Sequence, residues 1–511
     1  MRIKNCLYFI AAAALSCACC APAVTEVGVI PEPNDVQIQD VLYPVGSDVR
    51  VLAGGLESEA EYAAKVLPAG AKGKVCLSLD STLGAEEYVL KVRKGKVSIV
   101  GGSSAGVFYG IQTLLQEMES NDGCAYKGTI KDAPRFSWRG YMIDESRHFF
   151  GIDNVYKTLD NMARYKMNRF HWHLTDAPGW RIEIKSHPEL TVIGSIGNHT
   201  DPTAAPAFFT QEQIKEVVEY AAKLHIDVVP EIDMPGHASS ATRTYPQLGV
   251  GKEPGSFTYN PAKEEVYTFL EDVLKEVADL FPFEYIHIGG DEVFFGSDLW
   301  NEEKEVASLK EKEHLESNED VERYFLKRIS GVLGNLGRKM IAWDDVINLD
   351  VLDSIDAITW WRQERKDHID QCLESGKEAI LCPRLPLYLD FLQDTSHTTG
   401  RVWPDGSICT TESIYAYPET FFEVMDADVP KDNILGIQGN LWSEHVASKE
   451  RVEYMTYPRI CAIAESAWTQ PYRKDYDSFL GRMDKEFSHF DAQGTYYYDL
   501  RDPEKNAEPK L

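Results

Sequence analysis

Tyr285-Ile286-His287-Ile288-Gly289-Gly290-Asp291-Glu292 is an apolar run that meets two glycines and then two adjacent carboxylates. A short apolar run of this kind, bounded by glycine, reads as a strand buried on both faces. Helical periodicity precedes it over residues 264–280 and follows it over 321–333, so the strand sits inside a β–α series. Working outward, seven more strand-like runs appear at 140–144, 169–175, 227–232, 339–343, 357–361, 379–382 and 435–441. Helical patterns also fill 154–165 and 211–224. Strands alternating with helices imply a parallel sheet; an open doubly wound sheet would fit the alternation, but a count of eight favours a closed (β/α)₈ barrel. The interval 346–356 is too short for a full helix, and a helical tail over 450–490 would complete the outer ring.

Ala133-Pro134 marks a change of rhythm. Before it, 27–133 reads as a small α/β domain, with strands at 49–52 and 75–79 and a helix at 58–67 between them. A hairpin of 88–92 and 97–100 turns at Lys94-Gly95, and a helix follows at 104–118. The barrel is expected over 134–495. A chain of 511 residues exceeds one hydrophobic core, which agrees with two domains.

Hydrophobic content of 43% with 11% aromatics suits a folded globular protein. The net charge of −29 excludes nucleic acid as a partner, since phosphates would be repelled over roughly 10 Å. Residues 1–23 read as an export signal. Arg2 and Lys4 precede an unbroken apolar run from Leu7 to Leu15, shorter than the roughly 20 residues of a membrane span. Ala14-Leu15-Ser16-Cys17 resembles a bacterial lipobox with cleavage before Cys17, whereas Ala21-Pro22-Ala23 would suit ordinary signal cleavage. The expected location is the bacterial periplasm or cell surface, as an outer-membrane lipoprotein if Cys17 is lipidated. Beyond this segment, Cys76, Cys124, Cys372, Cys382, Cys409 and Cys461 are scattered, with no legible disulfide framework or zinc site.

In a (β/α)₈ enzyme the chemistry gathers at the C-terminal ends of the strands. Those ends carry Arg147, Asp176, His237, Asp291 with Glu292, Trp343, Trp361, Tyr388 with Asp390, and Trp442 with Glu444. Each alone has a plain structural explanation, such as a surface ion pair, a satisfied loop histidine or ring packing; a polar or aromatic group at every end does not. Asp291 and Glu292 carry the sharpest signal. Consecutive strand residues point to opposite faces, so both can reach one ligand where the strand is ending. Two like charges so close raise the proton affinity of at least one carboxyl, as acid catalysis near neutral pH needs. Clustered Asp, Glu and His also suggest a metal, and His171-Trp172-His173 places two histidines on one strand face. No H-E-x-x-H or similar ligand spacing accompanies them, so they read as a polar cluster inside the barrel, with no metal or cofactor required.

Over about residues 136–470 the chain resembles glycoside hydrolase family 20, the β-N-acetylhexosaminidases. The resemblance rests on Trp138-Arg139-Gly140-Tyr141-Met142-Ile143-Asp144-Glu145-Ser146-Arg147-His148-Phe149, on His171-Trp172-His173-Leu174-Thr175-Asp176, and on Pro230-Glu231-Ile232-Asp233-Met234-Pro235-Gly236-His237. It continues through Gly289-Gly290-Asp291-Glu292, Trp343-Asp344-Asp345, Tyr388-Leu389-Asp390 and Leu441-Trp442-Ser443-Glu444. It implies exo-acting, retaining removal of terminal β-linked N-acetylglucosamine or N-acetylgalactosamine from a glycan. The substrate's own acetamido oxygen would attack the anomeric carbon to form an oxazolinium. Glu292 would be the general acid and base, Asp291 the partner of the acetamido N–H, and Asp176 with His237 a supporting relay. Tyr388 would donate to the acetamido oxygen, and Trp343, Trp361 and Trp442 would wall its methyl. Arg147, Asp390 and Glu444 would hold hydroxyls.

Three departures stand out. Ala177 follows Asp176 where many relatives carry a second Asp. Trp360 competes with Trp361 for the acetamido wall. Pro383-Arg384-Leu385-Pro386 differs from many relatives and leaves outer specificity open. The rival readings are another specificity within the family, such as a lacto-N-biosidase or a 6-sulfated N-acetylglucosamine hydrolase, and a surface lipoprotein that only binds glycans.

Overall fold

Eight parallel strands close into a barrel: β8 (Trp138–Asp144), β9 (Arg169–His173), β10 (Asp227–Glu231), β11 (Tyr285–His287), β12 (Lys339–Trp343), β13 (Ala357–Trp360), β14 (Glu378–Leu381) and β15 (Ile434–Leu441). Each pairs with its neighbour in sequence, and β15 pairs back onto β8. The computed structural model describes residues 23–24, 27–52, 54–67 and 73–510. Residues 1–22 of the expected leader, Cys17 among them, therefore lie outside the described residues. All seven residues of β8 are buried, as a strand between barrel interior and helical ring must be. Helices Ile152–Arg164, Gln211–Lys223, Glu264–Leu280 and Asn318–Asn335 supply the ring. Between β12 and β13 the chain makes short 3₁₀ turns in place of a helix. The expected single tail is three helices, Lys449–Thr456, Arg459–Trp468 and Tyr476–Gln493. None of the described helices is long and apolar enough to cross a membrane.

The N-terminal unit holds a seven-stranded sheet, ordered β1-β2-β7-β5-β6-β4-β3. Its strands are β1 (Ala23–Val24), β2 (Asp35–Pro44), β3 (Asp48–Val51), β4 (Lys74–Leu79), β5 (Tyr88–Arg93), β6 (Lys96–Gly101) and β7 (Cys124–Asp132). The sequence pattern missed β2 and β7. A register shift between Gln39 and Leu42 breaks the alternation of β2. In β7 the central Gly128 interrupts the pattern; a Cβ there would lie 2.3 Å from the Gln37 carbonyl, so the close pairing demands glycine. Helix Ser104–Ser120 is buried nearly all round because it lies between this sheet and the barrel.

The two units meet across buried charge. Arg139, at the start of the barrel, reaches Glu86 at 2.6 Å, and its guanidinium lies 5.0 Å from the Trp468 ring. Lys166, fully buried, sits 3.4 Å from Asp132, which also accepts the Trp468 indole N–H at 3.0 Å. Removing one partner of such a pair would leave the other charge buried and unmatched. The small domain is thus fixed against the N-terminal end of the barrel, and the opposite end is left open for the site.

Candidate active site

The ladder of β11 ends at His287, two residues earlier than the apolar run suggested, and Gly289 and Gly290 turn away with φ of +68° and +84°. A Cβ on Gly289 would fall 1.9 Å from Asp233 Oδ1, so glycine is required there. Glu292 and His237 also adopt positive φ, +54° and +50°. Backbone strain of this kind in residues with side chains persists where surrounding structure holds it, commonly at functional sites. The strained turn points Asp291 and Glu292 into the same space from the end of one strand.

His237, on the loop after β10, faces both carboxylates. Its Nε2 is 3.5 Å from Asp291 Oδ2 and 3.6 Å from Glu292 Oε2, while its Nδ1 is 3.0 Å from Asp176 Oδ1. Burial raises the Asp291 carboxyl, and Asp345 and Glu292 add to the effect against His237, pushing it up to about 7. Burial would raise Asp176 as well, but Arg147, His237 and His173 outweigh it and hold that carboxyl well below its usual range. Burial would lower His237; Asp176, Asp233 and Asp291 reverse this and keep its imidazole protonated well above the usual value. At the departure noted above, Ala177 offers Asp176 its backbone N–H.

Beneath this pair lies a polar floor that the sequence only partly disclosed. Glu231, the last residue of β10, accepts from His171 Nε2 at 2.9 Å, His173 Nδ1 at 2.5 Å and Trp343 Nε1 at 2.8 Å. His287 Nδ1 stands 3.2 Å away. Despite full burial, the histidine charges hold Glu231 well below the usual range. His171, Glu231 and His287 bring one ligating atom each within 4.8 Å of one another, as do two neighbouring triplets containing Asp233. The other faces of the two sequence-flagged histidines are also engaged, His171 Nδ1 with Gln438 and His173 Nε2 with Asp176. The arrangement is a hydrogen-bonded interior layer.

Four rings form the opposite wall. Trp343 and Trp442 have centroids 5.7 Å apart, and Tyr388 lies 6.2 Å from Trp442. Tyr388 also stacks on Trp361 at 6.3 Å and 9°. Trp361 is the tryptophan that faces the cavity. Trp360, still within the ladder of β13, turns outward onto Phe421 at 4.8 Å and donates its indole N–H to the Arg365 carbonyl. The Trp361 indole is pinned by Asp345 Oδ2 at 2.7 Å, and Asp345 by Arg362 at 3.1 Å. Burial drives the Tyr388 phenol well above its ordinary value, so it remains a donor at any working pH.

Arg147 closes the circle from β8. It pairs with Asp176 at 2.7 Å, and its guanidinium lies 4.9 Å from the Trp442 ring. Asp390 and Glu444 are joined by Arg401, at 2.9 and 2.6 Å. Asp390 Oδ1 and Glu444 Oε2 are buried without a hydrogen-bond partner among the described residues, so each can accept from a ligand. The resulting cavity of about 100 Å³ is lined by Arg147, His237, Asp291, Glu292, Trp343, Trp361, Tyr388, Trp442 and Glu444, with Asp176 and Asp390 directly behind. Arg384, Phe391 and Arg401 also line it, and nothing in the sequence singled out the last two. Arg384, from the unusual Pro383–Pro386 stretch, is sandwiched at 4.6 Å between Trp361 and Trp403 at the mouth and paired with Glu364.

Residues 136–471 match the catalytic domain of glycosyl hydrolase family 20, and residues 26–133 match that family's domain 2. A beta-hexosaminidase of Porphyromonas gingivalis is 35% identical over 481 residues, covering 88% of this chain and 60% of that protein. The chain thus spans less than two thirds of that relative. A beta-hexosaminidase of Vibrio furnissii is 33% identical, covering 87% and 77% respectively. Among solved structures, the family 20 exo-β-N-acetylglucosaminidase of Vibrio harveyi, in complex with N-acetylglucosamine, superposes with a TM-score of 0.84 at 30% identity. That match covers 95% of this chain and 80% of the other. The β-N-acetylhexosaminidase of Bacteroides fragilis gives 0.81 at 28% identity, covering 94% and 99%.

Proposed function

The chain belongs to glycoside hydrolase family 20, and from that premise we propose that it is an exo-acting, retaining β-N-acetylhexosaminidase using substrate-assisted catalysis. The observation that carries this reading is the juxtaposition of the Asp291-Glu292 pair with an aromatic box of Trp343, Trp361, Trp442 and Tyr388. A small dry slot beside an acid suits an acetamido group: the rings take its methyl, and its polar atoms face Tyr388 and Asp291. In the first step Glu292 gives its proton to the glycosidic oxygen as the C1–O bond breaks. The acetamido oxygen bonds to C1 from the other side, and Asp291 holds the N–H as positive charge grows there. Tyr388 donates to the acetamido oxygen and orients it. In the second step Glu292 takes a proton from water as the water attacks C1, and the ring-bound oxygen leaves to restore the acetamido group. Two inversions give retention. His237, kept protonated by Asp176, is placed to hold the carboxylate that Glu292 becomes between the steps.

The substrate is a glycan ending in β-linked N-acetylhexosamine. The test is turnover of chromogenic β-N-acetylglucosaminide and β-N-acetylgalactosaminide beside the matching β-glucoside. The acetamido sugars should be cleaved and the glucoside scarcely at all, and a thiazoline analogue of the cyclised sugar should inhibit more tightly than free sugar. Efficient glucoside cleavage, or a sugar trapped covalently on Asp291 or Glu292, would sink the substrate-assisted route. Binding of both acetamido sugars without turnover would favour a pure glycan binder.

The reading extends to location: the protein is exported and held at a bacterial membrane through a lipid on Cys17. The basic start and the apolar run ending at Ser16-Cys17 support it. Membrane partitioning and labelled palmitate uptake should disappear in Cys17→Ser. An unlabelled soluble protein beginning near Val24 would refute the anchor and leave export standing.

A further inference from the structure

Acid catalysis by Glu292 places the glycosidic oxygen within hydrogen-bond reach of its carboxyl. The first ring of the leaving group therefore lies beside this side chain, on the side away from the hexosamine. A second cavity, of about 230 Å³, adjoins the first at Glu292, the residue that lines both. Its walls include Phe294, Asn318, Glu319, Glu322 and Asp345. Two residues after the acid, Phe294 and Phe295 stand 63% and 65% exposed, with ring centroids 4.2 Å apart. Phe295 meets Phe257 edge-on at 6.3 Å, and Phe257 packs on His237 at 4.7 Å. The exposed rings are thus tied to the relay histidine and held at the acid's shoulder. Scattered apolar side chains on a surface are ordinary; a pair of adjoining rings at the rim of a cleft marks a contact surface.

We propose that Phe294 and Phe295, together with the groove beside them, form the leaving-group subsite, and that it takes an uncharged sugar ring in preference to an anionic one. The proposal rests on the hexosaminidase reading above. The C–H face of a pyranose lies on a phenyl ring, while its hydroxyls reach the amide of Asn318 and the carboxyls along the groove. Glu322, raised to about 8 first by burial and then by Asp345 and Glu319, keeps its proton at neutral pH and can donate. Arg362, the cation that lines the groove, is already paired with Asp344 and Asp345, and the Lys310 ammonium beside the groove is held by the side-chain oxygens of Asn318 and Asn301. A uronate or sulfate entering the groove would face carboxylates with no free cation from Arg362 to meet it.

The experiment compares kcat/KM of the full chain on the β1,4-linked N-acetylglucosamine disaccharide, on methyl β-N-acetylglucosaminide, and on N-acetylglucosamine β-linked to glucuronic acid. In Phe294→Ala/Phe295→Ala the disaccharide-to-methyl ratio should fall about tenfold, mainly through KM, and the corresponding Tyr pair should restore it. The unmodified protein should cleave the uronate-ended substrate less well than the neutral disaccharide, and Glu319→Lys should narrow that gap. An unchanged ratio in the alanine pair, or an uronate cleaved as fast as the neutral sugar, would overturn the proposal. Failure of the unmodified protein to cleave even the methyl glycoside would overturn the hexosaminidase reading itself.

Discussion

Two arcs of the barrel rim face one another across the cavity and are made of different material. The arc from β9 to β11 is a mesh of buried titratable groups: Asp176, His237, Asp233, Asp291 and Glu231 lie in one another's fields. The arc from β12 to β15 presents mostly rings, and Arg401 holds two of its carboxylates, Asp390 and Glu444. In the first arc each group's charge depends on its neighbours, so a substitution disturbs several protonation states and effects will not add. In the second the rings set a shape, and a substitution is felt mainly where it is made. In the proposed mechanism the first arc moves protons and the second recognises the sugar.

The largest effect should come from the first arc. Glu292→Gln removes the proton donor and should lower turnover of substrates with poor leaving groups by about 10²–10⁴-fold. Aryl glycosides whose leaving group needs little protonation should lose much less. Equal losses on both classes would move proton transfer away from Glu292 and erase the division between the arcs.

A smaller loss is expected across the cavity. Tyr388→Phe keeps the ring that stacks on Trp361 and removes one donor to the acetamido oxygen. It should lower kcat roughly a hundredfold, as loss of a single preorganised donor does, and leave KM nearly unchanged. The pH dependence of kcat should keep its shape, because the phenol does not titrate in the working range. A shifted pH profile in this variant would mean the second arc also takes part in proton transfer.

The arcs also differ in how they are written in the chain. The first is spelled out in short runs, His171 to Asp176, Glu231 to His237 and Gly289 to Glu292, each directly past a strand, so a reader who finds the strands finds the residues. What the runs conceal is Glu231 as a hub: its donors come from β9 and β12, with a further histidine of β11 beside it, and closure of the barrel brings them together. In the second arc Trp343, Tyr388 and Trp442 were legible for the same reason as the runs. The choice between Trp360 and Trp361 was not, because it turns on where the β13 ladder stops, and a shift of one residue reverses the face. Arg401 and Phe391 lie on a loop without periodicity, placed by an isolated bridge between them and by Tyr388 bridging to Asn440. The eight-strand rhythm was readable because every barrel strand is buried on both faces. The missed β2 and β7 of the small domain carry a bulge and a central glycine, which interrupt the alternation that pattern reading depends on.

The smallest effect concerns the joint that the sequence did not disclose. Burial pushes the Asp390 carboxyl up to about 7; Arg401 is the largest influence lowering it, and Glu444 adds to the rise. In the proposed reading Asp390 accepts a sugar hydroxyl as a carboxylate, so its binding-competent form is populated above its pKa and lost as pH falls through it. Arg401→Met removes the lowering influence, and the loss of affinity on acidification should begin at higher pH. The guanidinium is 46% exposed and partly screened by water, so the displacement should be less than about one pH unit. Asp291 titrates in the same region, which would blur the comparison in kcat/KM. The clean measurement is therefore binding of N-acetylglucosamine by calorimetry from pH 5 to 9 in an Asp291→Asn background, with and without Arg401→Met. A midpoint moved upward, and brought partly back by Arg401→Lys, places Arg401 as the group that keeps Asp390 charged for the sugar. An unmoved midpoint with uniformly weaker binding would reduce Arg401 to a prop for its loop, and hydroxyl recognition in the second arc would then rest on Asp390 and Glu444 unaided.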